Sequence, residues 1–342
     1  MTIELGAPAG HRSVASPDLE IRGGRDPGLL VADGLNVSFP TGGGRRLSVV
    51  EDVSLGVAEG ETLGIVGESG CGKTTVARCL AGLLRPDSGT VSLRGAPLGA
   101  RRTREQRRAV QLVFQDPFSS LNPRLSVRSV LAELVTLHGL ARGEEVERRC
   151  RELMSLVGLP AEALAGYPSS FSGGQRQRVA IARALAVEPQ VIVADEPISA
   201  LDVSVQAAIL SLFADLRDRL GIGIVLISHN LAAVRHVCDR AAVMYLGRVV
   251  EVGGREEIFK DPRHPYTKAL LAAAPRVRGH SVAPGARLKG EPPSATARPS
   301  GCPFHPRCPR AEAQCAGQRP ELLAVSARND RLAACHFRGE AP

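Results

Sequence analysis

The sequence predicts an α/β protein whose core is a mostly parallel sheet covered on both faces by helices. Three observations carry that expectation. From about Leu29 onward, short apolar runs alternate with stretches of helical periodicity. The stretch from Pro123 to Ala186 is helical and charged, with no convincing strand, and so interrupts the alternation as an insert. After about Pro275 the chain turns rich in Pro, Arg and Ser and ends in clustered cysteines, which marks a small Cys-containing C-terminal extension.

The elements follow in order. Residues 1–28, rich in Gly, Pro, Arg and Ser and without an apolar signal core, read as a disordered tail. Leu35, Val37 and Phe39 alternate as in a half-buried strand, and Thr62–Val66 is a short buried strand entering a glycine-rich loop. Thr74–Leu84 has helical spacing and is stopped by the turn sequence Arg85-Pro86-Asp87-Ser88-Gly89. Val110–Phe114 is a further strand, ahead of a helical subdomain at about 116–186. Strand signals return at Val191–Ala194, Gly223–Ile227 and Ala241–Tyr245. Between the first two, Val205, Ile209, Leu212, Phe213, Leu216 and Leu220 mark one helix face. There is no internal repeat. The chain divides into a tail at 1–28, a core at 29–260 and an extension at 261–342.

Composition narrows the function classes. The chain has 342 residues, 44% of them hydrophobic, and no stretch reaches the roughly 20 apolar residues of a membrane span. A cytosolic chain that reaches a membrane only through partners is expected. The net charge of +8 admits nucleic acid or an anionic membrane face. However, the basic run Arg101-Arg102-Thr103-Arg104 carries no interleaved aromatics and reads as a solvated face. With no Trp and three Tyr, base-stacking platforms are not expected. No nucleic-acid partner is expected.

Three motifs carry chemistry. In Gly67-Glu68-Ser69-Gly70-Cys71-Gly72-Lys73-Thr74-Thr75 the glycines let the backbone curl, so that amides and the following helix N-terminus face phosphates. Lys73 is expected to reach the terminal phosphates, and the Thr74 hydroxyl to coordinate Mg²⁺. The backbone amide of Cys71 matters there more than its thiol. Asp195 and Glu196 close the apolar run Val191–Ala194 and so emerge at the carboxyl edge of a buried strand, where ligands bind in open α/β sheets. Asp195 is expected in the Mg²⁺ shell, and Glu196 to polarise an attacking water. Between these motifs lies Phe171-Ser172-Gly173-Gly174-Gln175, a hydroxyl and two glycines at the start of a helix running from about Gln175 through Arg183.

In that order the motifs resemble the ABC ATPases, and the resemblance implies a P-loop NTPase core of RecA-like fold that binds and hydrolyses ATP. It gives Gln115 the place of the family's Q-loop glutamine, Ser199-Ala200-Leu201-Asp202 that of its D-loop and His229 that of its switch histidine. Phe39 takes the place of the aromatic that stacks on adenine, although it also suits the inward face of its strand. Ser172, Gly173, Gly174 and Gln175 then serve the ATP of an opposite subunit, so two ATPase subunits are implied. From about Leu29 to the C-terminus the finer resemblance is to ATP-binding subunits of oligopeptide and dipeptide importers. Its marks are Asp261-Pro262-Arg263-His264-Pro265-Tyr266, Gly290-Glu291-Pro292-Pro293-Ser294 and Gly301-Cys302-Pro303-Phe304-His305-Pro306-Arg307-Cys308-Pro309. Gly70-Cys71-Gly72, Gly173 to Arg178 and Tyr245-Leu246-Gly247 favour the second of the two paired ATPases.

This resemblance implies an energising subunit on the cytoplasmic face of the membrane. Its partners would be a second ATPase subunit, two transmembrane permease subunits and an extracytoplasmic substrate-binding protein. Nickel or another small solute is an alternative cargo, and a soluble ABC ATPase acting on nucleic acid a more distant reading. Asn230 departs from the Asp common after the switch histidine.

Four of the eight cysteines, Cys302, Cys308, Cys315 and Cys335, crowd the extension. Their spacing is not that of a CxxC zinc ribbon. Four thiolates can hold a 4Fe–4S cluster, with zinc or unligated thiols as alternatives and His305 and His336 as alternative ligands. The resemblance favours the iron–sulfur cluster, in a structural role.

Overall fold

The computed structural model describes residues 28–99, 101–116, 120–273, 290–291, 293–294, 298–325 and 331–339. The N-terminal tail, Pro117–Ser119 and Pro292 lie outside the described residues. Strands β1 (Leu30–Thr41), β2 (Arg45–Val57), β4 (Ser88–Leu93) and β5 (Ala96–Pro97) form a four-stranded antiparallel sheet in the order β2-β1-β4-β5. An eight-stranded sheet joins β3 (Thr62–Val66), β6 (Val110–Val113), β7 (Val191–Asp195), β8 (Gly223–Ile227), β9 (Arg240–Tyr245) and β10 (Arg248–Gly254) to β11 (Leu323–Ala324) and β12 (Leu332–Ala333). Its order is β11-β12-β10-β9-β3-β8-β7-β6, parallel from β9 to β6.

The parallel strands read as continuous apolar runs because both faces are covered. Alternate residues serve opposite cores. Val191 and Val193 pack on the side of α1 (Lys73–Ala81) and the antiparallel sheet. Ile192 and Ala194 pack on the side of α3 (Val127–Leu137), α4 (Glu144–Leu156), α5 (Gly173–Leu185), α6 (Val203–Leu220) and α7 (Leu231–Val237). By that period Asp195 faces α1, and this decides its chemistry below.

Two local readings change. Helix α1 stops at Ala81, earlier than expected, because Gly82 takes a left-handed conformation (φ 74°) and closes the helix end. A Cβ there would stand 2.3 Å from Nε of Arg102, so an L side chain is doubly excluded. The expected turn at Arg85–Gly89 runs directly into β4. The short helix α2 (Arg104–Ala109) precedes β6.

The extension continues the core. Helix α8 (Arg255–Lys260) follows β10 at the end of the core, and the extension carries α9 (Pro265–Ala273) and α10 (Ala313–Gly317). Strand β12 pairs with β10, so the extension adds two strands to the main sheet. The buried carboxylate of Glu251 accepts from the amides of Arg263 (2.9 Å) and His264 (2.9 Å) and from the Arg331 guanidinium (3.0 Å). Among the described residues no helix is long and apolar enough to cross a membrane.

Candidate nucleotide site

The glycine loop leaves β3 and enters α1 as its sequence requires. At Gly67 a Cβ would lie 2.3 Å from the Met244 carbonyl oxygen, and at Gly72 (φ 104°) 2.9 Å from that of Val49. Both positions exclude side chains by steric contact. Within the loop the buried Lys73 Nζ donates to the carbonyls of Gly67 and Glu68, each at 2.9 Å. The Cys71 thiol is buried 4.0 Å from that ammonium, and burial pushes its pKa up, so it stays a neutral thiol. Ser69 and Gly70 are exposed, and Thr74 and Thr75 are half-buried.

Asp195, on the α1 face of β7, accepts from the Thr74 hydroxyl at 3.0 Å. Burial raises its pKa, the Thr74 hydrogen bond opposes that shift, and neighbouring Glu196 adds to it. A hydroxyl beside a desolvated carboxylate is a hard-oxygen pair that fits Mg²⁺. The shift is also a stability statement. A carboxylate whose folded pKa is raised costs the fold stability as pH rises from the unfolded pKa through the folded one, and the full cost is present above both. Asp195→Asn is therefore expected to raise Tm by about 2–4 °C per kcal/mol recovered. The same variant is expected to lose Mg²⁺-dependent ATP hydrolysis by about 100-fold or more. Differential scanning calorimetry and a phosphate-release assay check both.

Glu196 is half-buried in a left-handed conformation (φ 46°) and donates its amide to the Ile227 carbonyl at 3.0 Å. A non-glycine residue there is strained, a feature that concentrates at functional sites. Its carboxylate gathers two of the expected residues. Gln115 donates to it from the end of β6 at 3.4 Å, and His229 Nδ1 lies 3.1 Å away beyond β8. Both are exposed. Asn230 caps α7, accepting from the amides of Ala232 (3.0 Å) and Ala233 (3.3 Å). That is work an Asp side chain does equally well, and it accounts for the departure locally.

Ser172 caps α5. Its hydroxyl accepts from the Gln175 amide at 3.3 Å, and the Gln175 carboxamide accepts from the Ser172 amide at 3.0 Å. The Gln175 side chain is thus occupied in the cap. A Cβ on Gly174 would stand 2.5 Å from Val205 Cγ1. Ser172 is exposed, and none of its hydrogen bonds among the described residues reaches Lys73, Thr74, Asp195 or Glu196. Within one chain no hydrogen bond among the described residues joins Ser172 to the carboxylate pair. Phe39 is 39% exposed although Leu35 and Val37 of the same strand are buried. The inward-facing alternative for Phe39 does not hold, because β1 outruns the core at that end.

Sequence reasoning missed two residues. Tyr266 accepts from the Glu68 amide at 3.0 Å, and Arg307 holds the Glu68 carboxylate with both terminal nitrogens at 2.9 and 3.0 Å. No local signal joins positions 198 and 239 residues apart.

The four late cysteines line one small cavity of about 10 Å³ with His305 and His336. Burial pushes the Cys302 thiol up to about 11 and raises those of Cys308 and Cys335, and neighbouring thiols add to each shift. His305 Nδ1 donates to the Cys302 carbonyl (3.0 Å) and His336 Nε2 to that of Gln318 (3.1 Å). Four thiols and two imidazoles are, in kind, the donors that iron–sulfur and zinc centres use. Among the described residues, however, no three His, Cys, Asp or Glu side chains form a group able to hold a metal as they stand.

Residues 50–199 match the ABC transporter family, and residues 250–315 match the oligopeptide/dipeptide transporter C-terminal region. The chain is 48% identical over 295 residues to y4tS of Sinorhizobium fredii, named as a peptide ABC transporter ATP-binding protein, covering 85% of this chain and 83% of that one. It is 45% identical to the di/tripeptide transport ATP-binding protein DppF of Pseudomonas aeruginosa, covering 86% and 91%. CbiO1 of Clostridium perfringens, part of the CbiONQ ABC transporter complex, superposes with TM-score 0.61 at 28% identity, covering 68% of this chain and 91% of that one. A dimeric ATP-binding cassette in a post-hydrolysis state with ADP and phosphate superposes with TM-score 0.60 at 29% identity, covering 66% and 98%. With the phosphate loop, the carboxylate pair and these relatives together, the chain belongs to the ATP-hydrolysing, ATP-binding subunits of ABC transporters, in the branch with the oligopeptide/dipeptide transporter C-terminal region.

Proposed function

We propose that this subunit energises uptake of oligopeptides or dipeptides, and that its ATP site is completed by a second ATPase subunit. The observation that carries the site reading is the convergence of Gln115 and His229 on Glu196, beside the Thr74–Asp195 pair. Lys73 and the loop amides hold the β- and γ-phosphates, and Phe39 stacks on the adenine. Thr74, Gln115 and Asp195 hold Mg²⁺, which neutralises phosphate charge when bound. Glu196 orients the attacking water and takes up its proton, while His229 contacts the γ-phosphate and keeps the Glu196 carboxylate in place.

Ser172, with the Gly173 and Gly174 amides at the α5 N-terminus, faces the γ-phosphate bound by the opposite subunit. ATP then glues the pair, and hydrolysis lets it reopen. Supporting this reading, Ser172 is exposed and, among the described residues, has no hydrogen bond to its own chain's phosphate loop. The opposite subunit is a second, non-identical ATPase, and the pair sits on the cytoplasmic face of the membrane against two permease subunits. An extracytoplasmic binding protein delivers the cargo. The core spans 29–260, the helical subdomain about 116–186 and the extension 261–342.

Relatives named for peptide and di/tripeptide transport support the cargo class. Deleting the gene is expected to abolish uptake of radiolabelled di- and tripeptides, and the wild-type gene, but not a Lys73→Ala version, to restore it. Unchanged peptide uptake with loss of nickel uptake would redirect the cargo. Cys302, Cys308, Cys315 and Cys335 are proposed to hold a structural 4Fe–4S cluster, with zinc as the alternative metal. Anaerobically purified protein is expected to be brown, with a broad absorption near the visible and about four irons per chain. Colourless, zinc-loaded protein would decide for zinc.

A further inference from the structure

Glu68, the second residue of the phosphate loop, is held at three points. Its carbonyl accepts from Lys73, its amide donates to the Tyr266 hydroxyl, and its carboxylate is gripped by the fork of Arg307. The last two partners belong to the extension. The Arg307 side chain is 6% exposed and that of Glu68 is 19% exposed, so this ion pair is shielded from water. Bidentate geometry of that kind fixes orientation as well as charge. Arg307 is itself anchored, donating also to the Gly290 carbonyl (3.1 Å) and the Tyr245 hydroxyl (3.4 Å).

What aims Arg307 is the cysteine module. It sits in a single 3-10 turn, His305–Arg307, directly between Cys302 and Cys308. The Cys302 amide donates to the Cys315 carbonyl at 2.8 Å, and that of Cys308 to the His305 carbonyl at 3.2 Å. Phe304, buried at the N-cap of that turn, packs edge-on to Tyr245 (5.4 Å between centroids) and Tyr266 (5.5 Å). A turn this short has no helix of its own to hold it, so its shape follows from the packing of those cysteines and aromatics.

We infer that Arg307 is a positioning residue for the phosphate loop, acting through Glu68 and with Tyr266, so that nucleotide affinity depends on the cysteine-bearing extension being correctly folded. The inference rests on the ATP-site reading above. Coupling between sites is reciprocal: if the ordered extension strengthens ATP binding, ATP must in turn order the extension. The extension thereby becomes part of the ATP site, more than a strap on its edge.

The test uses the full chain and the fluorescent analogue MANT-ATP. Arg307→Gln and Glu68→Gln are each expected to weaken binding about 10-fold, within the usual range for coupled sites. The double variant is expected to bind no worse than the weaker single one, because both break the same contact. Arg307→Lys, which keeps the charge but not the fork, is expected to fall between. Cys308→Ser is expected to weaken binding in the wild-type background and to add nothing in the Arg307→Gln background. Hydrogen exchange across residues 300–316 is expected to slow when MANT-ATP binds the wild type but not Arg307→Gln. Unchanged affinity in the single variants, additive losses in the double, or equal exchange protection in both proteins would overturn the inference. A wild type that fails to bind MANT-ATP, or binds it as well after Lys73→Ala, would instead overturn the ATP-site reading.

Discussion

Replacing Glu196 by Gln is expected to lower ATP turnover by about 10²–10⁴-fold while leaving ATP binding intact. The amide is nearly isosteric with the carboxylate and keeps an oxygen within reach of Gln115 and His229, which lie 3.4 and 3.1 Å from the present carboxylate. What it loses is the negative charge proposed to polarise the attacking water. Phosphates, Mg²⁺ ligands and Lys73 are untouched, so ATP still fills the site. Because binding energy from two subunits is then never released by hydrolysis, the variant is expected to accumulate as an ATP-bound dimer, read by size-exclusion chromatography with light scattering. Loss of turnover with no such dimer would separate Glu196 chemistry from pairing and refute the two-subunit mechanism.

The second large effect concerns stability. Glu251 is fully buried, and its carboxylate satisfies Arg331 together with the amides of Arg263 and His264. Glu251→Ala would leave the amides of Arg263 and His264 without their acceptor and the buried Arg331 guanidinium with Asp261 as its remaining partner. A cost of about 2–4 kcal/mol is expected, chiefly from the two amides left without an acceptor. It should fall on the extension first, since Arg331 enters β12, the strand that joins the extension to β10. Limited proteolysis is expected to release the region beyond α9 while the core stays resistant, with a clear drop in the first thermal transition. Glu251→Gln, which keeps an acceptor oxygen for the amides, is expected to recover part of the loss.

Much of this was legible in the chain. The glycine loop, the strand ending in Asp195 and Glu196, and the cap at Ser172 are local patterns in which spacing and residue type encode geometry. Period-2 alternation along β7 even decides which carboxylate meets Thr74. The antiparallel sheet was harder: β2 carries Arg, Ser and Glu among its apolar residues, and β1 has register shifts near Ala32, Leu35 and Val37 that blur its alternation. Phe39 was ambiguous for the same reason, because no pattern says where a strand outruns its core. The Arg307–Glu68 and Tyr266–Glu68 contacts were illegible for another reason. They join segments that only the folded sheet brings together, and a lone Arg between two cysteines carries no mark of its target. The cysteines lie between these cases. Their clustering was plain, but the geometry of a metal site is set by the metal as much as by the spacing.

Under the proposed mechanism this chain holds half of each ATP site it uses: Lys73, Asp195 and Glu196 for one nucleotide, Ser172 and Gly174 for the other. The most direct measurement is steady-state ATP hydrolysis per chain across a dilution series of the paired ATPase subunits. A specific rate that falls toward zero as the pair dissociates, and returns on concentration, is the predicted result. A specific rate that stays constant down to concentrations at which light scattering shows only monomers would contradict it.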